Sequence, residues 1–284
     1  MIIDGKKIAA EYRKEIQDEI KSMGGRPPGL AVILVGKDPA SETYVKNKQK
    51  ACSEVGIVSK TYNLDENIEE AELLATIQML NLDPEIDGIL VQQPLPDHLN
   101  TMKIVEEVLP EKDVDGFHPL NLGRVMIGDP RGFVPCTPLG ILKLMEKSNI
   151  DPDSKRVVIV GRSNIVGKPL ASLLMQKRNG CNATVTVVHS KSQNFHKICA
   201  HAEILITAIG KPEFITDKYI QKGAIVIDVG INRVTQNGKS TLVGDVDFEK
   251  ASQVASQITP VPGGVGPMTI AMLLYNTLKS RKNR

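Results

Sequence analysis

The 284-residue sequence contains no tryptophan, and aromatic residues make up only 4% of it. Cysteine is also scarce, and its four copies at positions 52, 136, 181 and 199 form no C-x-x-C pair. This spacing argues against a disulfide framework and favours free buried thiols in a reducing compartment. The N-terminal segment lacks the apolar core of a signal peptide, and no apolar run is long enough to span a bilayer. We therefore expect a cytoplasmic protein.

An excess of charge of either sign is missing too. The formal net charge is +2, which gives no electrostatic case for binding nucleic acid or a membrane surface. The five histidines, at positions 98, 118, 189, 196 and 201, show no metal-ligand spacing. We expect no bound metal. The hydrophobic fraction of 41% is that of a globular protein, and the length suggests two domains.

The segment 155–191 has the pattern of a strand, a turn, a helix and a second strand. The apolar run Val157–Val160 stops at Gly161, an apolar-periodic segment begins at Pro169, and a β-branched run covers 183–188. This is the βαβ unit of a nucleotide-binding sheet, in which Gly161 permits the sharp turn and Gly167 permits close helix packing. The spacing G-x-S-x-x-x-G departs from the usual dinucleotide fingerprint, so an ordinary βα turn remains the alternative.

The end of the second strand points to a particular dinucleotide. An NAD site usually has an acidic residue there to bind the ribose 2′-hydroxyl. Here the strand ends in His189, Ser190 and Lys191, and Arg162 lies in the preceding loop. A cationic, hydroxyl-rich pocket suits a 2′-phosphate, so the sequence favours NADP.

One lysine in the first half of the chain lies on the wrong side of its helix. Asp38 is placed to cap the helix and Gly56 to end it. At about 100° per residue, Lys48 lies about 40° from Tyr44, within the apolar stripe. A buried lysine needs a partner or a function, and burial would lower its pKa towards that of a proton carrier. The alternative is that its stem packs while its ammonium reaches water.

Three further sets of residues could bind a ligand. Gln92 follows the apolar strand of DGILVQQPLP, although a polar loop start is equally common. Asp113 or Asp115 could bind a polar group, or both could belong to a surface turn. These two lie in the long turn-rich segment 110–138, which is either a functional loop or an interdomain crossing. The PGG sequence at 262–264 permits close approach of a ligand, or else forms a hinge. An Asn237-Gly238 turn indicates a hairpin.

The predicted fold class is α/β, with two α/β domains flanking a cleft and the second a Rossmann-like NADP-binding domain. We expect the first domain to cover residues 1–120, with the C-terminal helix at about 267–284 packed onto it, and the second to cover 121–266. Two rival interpretations are a shikimate-type or amino-acid dehydrogenase and a nucleotide-sensing protein without turnover.

The motifs also resemble a known family, the bifunctional methylenetetrahydrofolate dehydrogenase/cyclohydrolases. The matching segments span almost the whole chain in the family's order: ASETYVKNK, DGILVQQPLP, KDVDGFHP, PCTPLG, VGRSNIVGKP, VIDVGINR, VGDVDF and TPVPGGVGPMT. The resemblance implies NADP-dependent oxidation of 5,10-methylenetetrahydrofolate to the methenyl form and hydrolysis to 10-formyltetrahydrofolate. It also implies a folate substrate, a homodimer built through the cofactor domains and a role in one-carbon metabolism. A dehydrogenase without the cyclohydrolase step remains an alternative.

The resemblance implies roles for particular residues. Lys48 is the catalytic lysine, with Tyr44 stacking on the aminobenzoyl ring and Asp115, rather than Asp113, binding the pterin. Gln92 completes the catalytic set. The substrate-binding residues are Tyr44, Lys48, Val91, Gln92, Asp115, Pro262, Gly263 and Gly264. The cofactor-binding residues are Gly161, Arg162, Ser163, Ser190 and Ile231. Gln93 stands where the family usually has an apolar residue, and on a strand it would face away from Gln92.

Overall fold

The computed structural model describes residues 1–236 and 239–284. The chain divides into two compact units. Residues Ala10–Cys136 with Ile270–Arg284 form one, called here the Lys48 unit, and Met1–Ala9 with Thr137–Thr269 form the other, the Gly161 unit. The division falls inside three helices: α1 (Gly5–Met23), α6 (Cys136–Lys147) and α10 (Val265–Lys282).

The Lys48 unit is built on a three-stranded parallel sheet in the order β2-β1-β3. Its strands are β1 (Gly29–Val35), β2 (Val58–Leu64) and β3 (Gly88–Val91), and its other helices are α2 (Pro39–Val55), α3 (Glu70–Leu82), α4 (Thr101–Glu107) and α5 (Pro119–Ile127). Every residue of β1 is buried, as expected of a continuous apolar run in the centre of a parallel sheet. Ile33, Leu73 and Ile77 lie in its core.

Helix α5 lies inside the segment that the sequence suggested to be a long functional loop or crossing. His118 caps its first turn by accepting a hydrogen bond from the Leu120 N–H, and Gly128 ends it in the left-handed conformation. Its apolar stripe is hard to recognise because Met126 and Ile127 are exposed. Residues Pro119–Ile127 are therefore helical and not loop, and the division between the units after Cys136 lies in the same segment, in line with the crossing alternative.

The Gly161 unit contains a five-stranded parallel sheet in the order β10-β7-β6-β4-β5. The strands are β4 (Arg156–Val160), β5 (Thr184–Val188), β6 (Ile204–Thr207), β7 (Ile225–Asp228) and the two-residue β10 (Gln257–Ile258). The chain leaves β4 to β5 on one side and reaches β6 on the other. This reversal of strand order creates a crevice at the carboxyl end of β4, as in nucleotide-binding sheets.

The remaining elements of this unit are short. They comprise α7 (Gly167–Leu174), α8 (Phe195–Cys199), a 3₁₀ turn (Asp217–Tyr219), α9 (Phe248–Ser252) and an antiparallel pair of strands, β8 (Asn232–Gln236) and β9 (Lys239–Val243). The predicted Asn237-Gly238 turn lies outside the described residues. The predicted α/β class with a Rossmann-like sheet is confirmed. No helix in the described part of the chain is long and apolar enough to cross a membrane.

Candidate active site

Helix α2 places Lys48 in an apolar environment. Asp38 caps the helix through the Ser41 N–H, and Gly56 ends it with φ +89°, so its length is set at both ends as the sequence predicted. Lys48 is only 8% exposed, whereas Lys46 and Lys50 of the same helix are exposed. The buried position of this lysine follows from the helical spacing.

A hydrogen bond of 2.9 Å joins Lys48 Nζ to Gln92 Oε1. The main chain of Gln92 is fixed beside β1 because its N–H donates to the Ile33 carbonyl over 2.9 Å. Its side-chain Nε2 donates to the Gln93 carbonyl over 2.6 Å. This second bond turns the amide oxygen towards the lysine, so the orientation of the amide is determined by both neighbours.

Gln93 does not follow the strand alternation expected of it. Strand β3 ends at Val91, two residues earlier, and Gln93 lies in the turn that follows. The premise that Gln93 lies on a strand was therefore wrong, because the pleat does not extend so far. Its backbone carbonyl, rather than its side chain, contacts Gln92.

Asp113 and Asp115 lie in different environments. The Asp113 carboxylate accepts hydrogen bonds from the backbone N–H groups of Gly116, Phe117 and His118 and from Asn121 Nδ2. With these four hydrogen bonds, Asp113 stabilises the turn that follows it. The Asp115 carboxyl is partly buried, and burial raises its pKa to about 6, against the lowering effect of the Lys48 charge. Asp115 is therefore the aspartate available for a ligand.

Tyr44, Val91 and Cys136 complete this cluster. Tyr44 lies one helical turn before Lys48 and is half-buried, and burial raises the pKa of its hydroxyl. Val91 is the last residue of β3 and is 9% exposed. The Cys136 thiol is fully buried, interacts with Asp115 and has a pKa raised well above its usual value by that burial. The sequence had given Cys136 no role.

Four of the five predicted cofactor residues, Gly161, Arg162, Ser163 and Ser190, lie at the carboxyl ends of β4 and β5. Val160 pairs with Val188, and the Gly161 N–H donates to the Val188 carbonyl over 2.9 Å. Gly161 has φ +125°, and a Cβ there would lie 2.2 Å from the Ala208 carbonyl oxygen. Only glycine fits this turn, and the turn leads into α7, whose Gly167 and Lys168 N–H groups are bonded to Ser163.

Three polar side chains surround this turn. Ser163 Oγ accepts hydrogen bonds from the N–H groups of Val166 and Gly167, over 3.1 and 3.4 Å, and so holds the loop. Arg162 and Ser190 are exposed on the loops after β4 and β5. A glycine turn, the Arg162 guanidinium and the Ser190 hydroxyl form a set that fits an anionic dinucleotide.

Two buried aspartates, which the sequence had not singled out, hold the neighbouring loops. Asp245 accepts from the backbone N–H groups of Ile209, Gly210 and Lys211 and from Asn232 Nδ2. Asp228 accepts from Thr207 Oγ1 and from three backbone N–H groups, and burial raises its pKa to about 6. For Asp228 the sequence signal was a charged residue within the apolar run VIDVG. Ile231, a predicted cofactor residue, is exposed on a loop held by these bonds.

The loop Pro262–Gly264 is anchored within the Gly161 unit. The Lys6 N–H donates to the Gly263 carbonyl over 2.9 Å, and Gly263 has φ +111°. A Cβ on Gly264 would lie 2.6 Å from the Pro260 carbonyl oxygen. The sequence suggested that this loop permits close approach of a ligand. In the structure the chain's own backbone lies close to Gly264, and contacts at Gly263 and Gly264 hold the loop.

The structure thus distributes the predicted residues over both units. Tyr44, Lys48, Val91, Gln92 and Asp115 belong to the Lys48 unit, and Gly161, Arg162, Ser163, Ser190, Ile231, Pro262, Gly263 and Gly264 belong to the Gly161 unit. Within residues 1–236 and 239–284, no group of three or more His, Cys, Asp and Glu side chains is arranged for a metal ion.

Comparison with known proteins gives one consistent result. The catalytic-domain model of the tetrahydrofolate dehydrogenase/cyclohydrolase family matches residues 3–115, and that family's NAD(P)-binding-domain model matches 135–284. The bifunctional protein FolD of Moorella thermoacetica is 56% identical over 99% of this chain and 98% of its own length.

Solved structures agree with these sequence matches. The bifunctional FolD enzyme, a methylenetetrahydrofolate dehydrogenase/cyclohydrolase, from Campylobacter jejuni is 50% identical, with a TM-score of 0.95 over 100% of this chain and 99% of its own. The Trypanosoma brucei enzyme, solved with NADP cofactor and inhibitor, is 38% identical, with a TM-score of 0.94 over 100% and 97%.

Proposed function

This chain belongs to the tetrahydrofolate dehydrogenase/cyclohydrolase family, and we propose that Lys48, Gln92 and Asp115 are the centre of its folate chemistry. The enzyme oxidises 5,10-methylenetetrahydrofolate to the 5,10-methenyl form with NADP and then hydrolyses that product to 10-formyltetrahydrofolate. The observation that carries the residue assignment is the buried Lys48 ammonium, bonded to the Gln92 amide oxygen over 2.9 Å and acting electrostatically on Asp115.

The oxidation requires positioning more than acid–base chemistry. The carbon that loses hydride is bound to two nitrogens, and the cation that forms is delocalised over both. NADP supplies the hydride acceptor. The protein contributes by holding the folate, with the half-buried ring of Tyr44 stacking on its aminobenzoyl group and Val91 packing beside it. Such positioning lowers the barrier by several kcal/mol, on the order of that measured for intramolecular reactions.

The hydrolysis, unlike the oxidation, requires proton transfer by a group of the protein. Water adds to the amidinium-like carbon, gives up a proton, and the C–N bond then opens as its nitrogen is protonated. Lys48 is the group that exchanges this proton, because the residue is only 8% exposed and its nitrogen has a fixed acceptor in Gln92. The Gln92 amide keeps the lysine nitrogen in one place during both proton movements.

Asp115 orients the pterin. As a carboxylate it accepts hydrogen bonds from the pterin N–H groups, and charge-assisted bonds of this kind fix both position and register. Asp113 cannot share this role because four donors already occupy its oxygens. The loop Pro262–Gly264 supplies further substrate contacts in this proposal.

The cofactor is held by the loops at the carboxyl ends of the five-stranded sheet. Gly161 and Ser163 shape the turn that receives the pyrophosphate, and Arg162 and Ser190 bind the 2′-phosphate of NADP. Ile231, exposed beside the loop held by Asp245, packs against the cofactor. The expected boundaries, residues 1–120 with the C-terminal helix at about 267–284 for the folate domain and 121–266 for the NADP domain, stay part of this proposal, whereas the compact units divide at Ala9, Cys136 and Thr269.

The proposal also covers the oligomeric state and the cellular location of the enzyme. We expect a homodimer built through the NADP domains, and light scattering of the purified enzyme measures its mass directly. A monomeric mass would contradict it. We place the enzyme in the cytoplasm, where a reducing environment preserves the four free buried cysteines.

Replacement of Lys48 by methionine tests the assignment of the proton carrier. Methionine retains the buried stem but has no ammonium, so hydrolysis of methenyltetrahydrofolate should fall to the spontaneous rate while NADP still binds. Loss of methenyl absorbance measures hydrolysis, and NADPH absorbance measures oxidation. Lys46→Met is the matched control, because Lys46 is exposed on the same helix. Hydrolysis by Lys48→Met that stays well above the spontaneous rate would remove Lys48 from this role.

A further inference from the structure

A cavity of about 420 Å³ lies in the Lys48 unit beside the segments that lead into β1 and β3. Its walls include Arg26, just before β1, and Asp83, between α3 and β3. Parallel strands begin at one edge of a sheet and end at the other, and Gln92 follows the carboxyl end of β3. The cavity therefore lies at the edge of the sheet opposite to Gln92, and the proposed folate chemistry does not use it.

Positive charge is in excess around this cavity. The described residues that line it carry four cationic side chains and one carboxylate, that of Asp83. The four cations are Arg26, Lys112, Arg281 and Arg284. A concave surface with charges of one sign concentrates their field and attracts a ligand of the opposite sign. The kind of anion that fits depends on how many of the four charges the protein itself already neutralises.

Two of the arginines share a buried carboxylate. Arg26 Nη1 and Nη2 donate to the two oxygens of Asp87 over 2.6 and 2.8 Å. The fully buried Asp87 carboxylate also accepts the Gly29 N–H over 2.8 Å, which fixes the pair. Arg284 lies 3.9 Å from the same carboxylate and donates to the Ile86 carbonyl over 3.0 Å. The charge of Asp87 is therefore taken up by Arg26 and Arg284.

Lys112 is bonded to carbonyl groups rather than to a carboxylate. It is fully buried, and its ammonium donates to the Leu80 and Asp83 carbonyls over 2.8 Å each. An ammonium has three protons, so one remains for a further acceptor. Burial, together with the charge of Arg284, lowers the pKa of this group to about 8, against the raising effect of nearby carboxylates. At neutral pH Lys112 is still a cation.

Arg281 is the least satisfied of the four cations. Its Nε is the one buried side-chain nitrogen that lacks a hydrogen-bond partner within the ranges 1–236 and 239–284. The neighbouring Lys282, by contrast, pairs with Glu19. Buried donors of charged groups are nearly always bonded in folded proteins, because an unbonded one is costly. Since Arg281 also lines the cavity, its missing partner is to be sought in a ligand.

The two cations without a carboxylate, Lys112 and Arg281, require about two negative charges. A phosphate monoester carries about −1.5 to −2 at pH 7 and offers three acceptor oxygens. A guanidinium binds such a group through two parallel hydrogen bonds, whereas one carboxylate would leave a buried cation uncompensated. The cavity volume of about 420 Å³ is typical of small-molecule sites, so there is room for the remainder of a phosphorylated molecule.

We propose that this cavity binds a phosphate group, either that of a small phosphomonoester or inorganic phosphate, between Lys112 and Arg281 and beside Arg26 and Arg284. The site lies apart from the folate and NADP sites, because no residue assigned to either substrate lines the cavity. It is therefore independent of the proposed catalytic roles. A ligand there binds the folded chain and stabilises it by mass action.

The test measures anion binding to the enzyme saturated with NADP, so that the cofactor already fills its own phosphate pocket. Isothermal titration calorimetry with inorganic phosphate should give one bound phosphate per chain, and thermal melting should show a rise that depends on phosphate concentration. Glycerol 3-phosphate is titrated in parallel. Tighter binding of the ester supports a phosphorylated metabolite as the ligand, and tighter binding of inorganic phosphate supports the free ion. Acetate at the same ionic strength should have little effect.

Arg281→Met is the decisive variant, because methionine keeps an apolar stem and removes the unpartnered guanidinium. We expect the affinity for phosphate to fall about tenfold or more, since charge-assisted bonds are lost. Without phosphate, the melting temperature should stay the same or rise, because a buried unbonded donor is gone. A merely structural role for Arg281 would lower it instead. Lys282→Met is the matched control and should bind phosphate like the wild type, because Lys282 pairs with Glu19.

Three results would overturn the proposal. They are the absence of phosphate binding to the wild-type holoenzyme, equal phosphate affinity in the wild type and Arg281→Met, and equal stabilisation by acetate and phosphate. Should Arg281→Met fail to fold, Arg284→Met takes its place, because it removes an exposed guanidinium from the same cavity. Its phosphate affinity should also fall, and an unchanged affinity would count against the site in the same way.

Discussion

Gln92 accepts a hydrogen bond from the Lys48 ammonium through Oε1 and donates one to the Gln93 carbonyl through Nε2. Gln92→Glu replaces the neutral acceptor by a charge that pairs with the ammonium and holds its proton. We expect cyclohydrolase activity to fall by about tenfold or more, because the lysine no longer exchanges that proton, while oxidation falls less. Assay of the two half-reactions on one preparation measures the difference, with Gln49→Glu of helix α2 as the control. Equal loss of both activities would contradict a proton-carrying Lys48.

Asp115 should show opposite effects on activity and on stability. Its pKa of about 6 lies above the ordinary value because of burial. A folded-state pKa raised above the unfolded value means that the folded protein binds this proton more tightly, so the group's stabilising contribution is present at low pH and is lost as the pH rises through about 6.

Asp115→Asn is therefore expected to raise the melting temperature at pH 8 by about 2–4 °C and to weaken folate binding. In the wild type, kcat/KM should fall as the pH drops through about 6, because the protonated carboxyl accepts fewer hydrogen bonds. Asp113→Asn is the contrasting variant. In Asp113→Asn the NH₂ group would face the backbone and Asn121 donors that the carboxylate now accepts, so the melting temperature should fall. A lower melting temperature for Asp115→Asn at pH 8 would count against the burial argument.

Arg162→Ala tests the preference for the phosphorylated dinucleotide. Loss of a guanidinium from the 2′-phosphate should weaken NADP binding by about tenfold or more, because a charge-assisted bond is removed. Binding of NAD should change little. Titration with the reduced forms NADPH and NADH, followed by cofactor fluorescence, gives the two dissociation constants, and Arg156→Ala, exposed at the start of β4, is the control. An equal loss for NADP and NAD would refute the assignment.

Two glycines should respond in opposite directions to alanine. Gly161 has φ +125° and no room for a Cβ beside the Ala208 carbonyl, so Gly161→Ala should destabilise the fold and impair NADP binding. Gly123 lies inside α5, and a Cβ there would meet no atom within 4 Å beyond its own stretch of helix, so Gly123→Ala should stabilise by about 0.5–1 kcal/mol. Urea denaturation measures both changes, and a destabilised Gly123→Ala would show that α5 is not a regular helix.

The local features of the site could be predicted from the sequence because their causes are local. Asp38 and Gly56 bound helix α2 through their own conformations, and helical spacing then places Lys48 on the apolar face. Gly161 marks the end of β4 because only glycine adopts the turn there. These inferences need no knowledge of what the helix packs against.

The features that escaped prediction depend on partners remote in the chain. Asn276 binds carbonyls 162 and 142 residues away, and nothing in the sequence around it indicates which backbone it will meet. Helix α5 escaped because its exposed apolar residues obscure the helical period. Gln93 was assigned to a strand that ends two residues earlier, at Val91, because strand ends are set by pairing with a neighbour rather than by composition.

Asp245 is the residue whose loss should separate cofactor binding from folate binding. Its carboxylate accepts three consecutive backbone N–H groups after β6 and the Asn232 side chain, and it is fully buried. Asp245→Asn keeps the shape of the side chain but exchanges one acceptor oxygen for an NH₂ group that faces other donors. The loops at the carboxyl ends of β6 and β7 should then lose their fixed arrangement, with a KM for NADP raised about tenfold and a folate KM near that of the wild type. Asp247→Asn is the matched control, because Asp247 caps the short helix α9 through the Lys250 N–H. Steady-state kinetics with each substrate varied in turn distinguishes the cases, and a rise in the folate KM alone would show that Asp245 does not act on the cofactor loops.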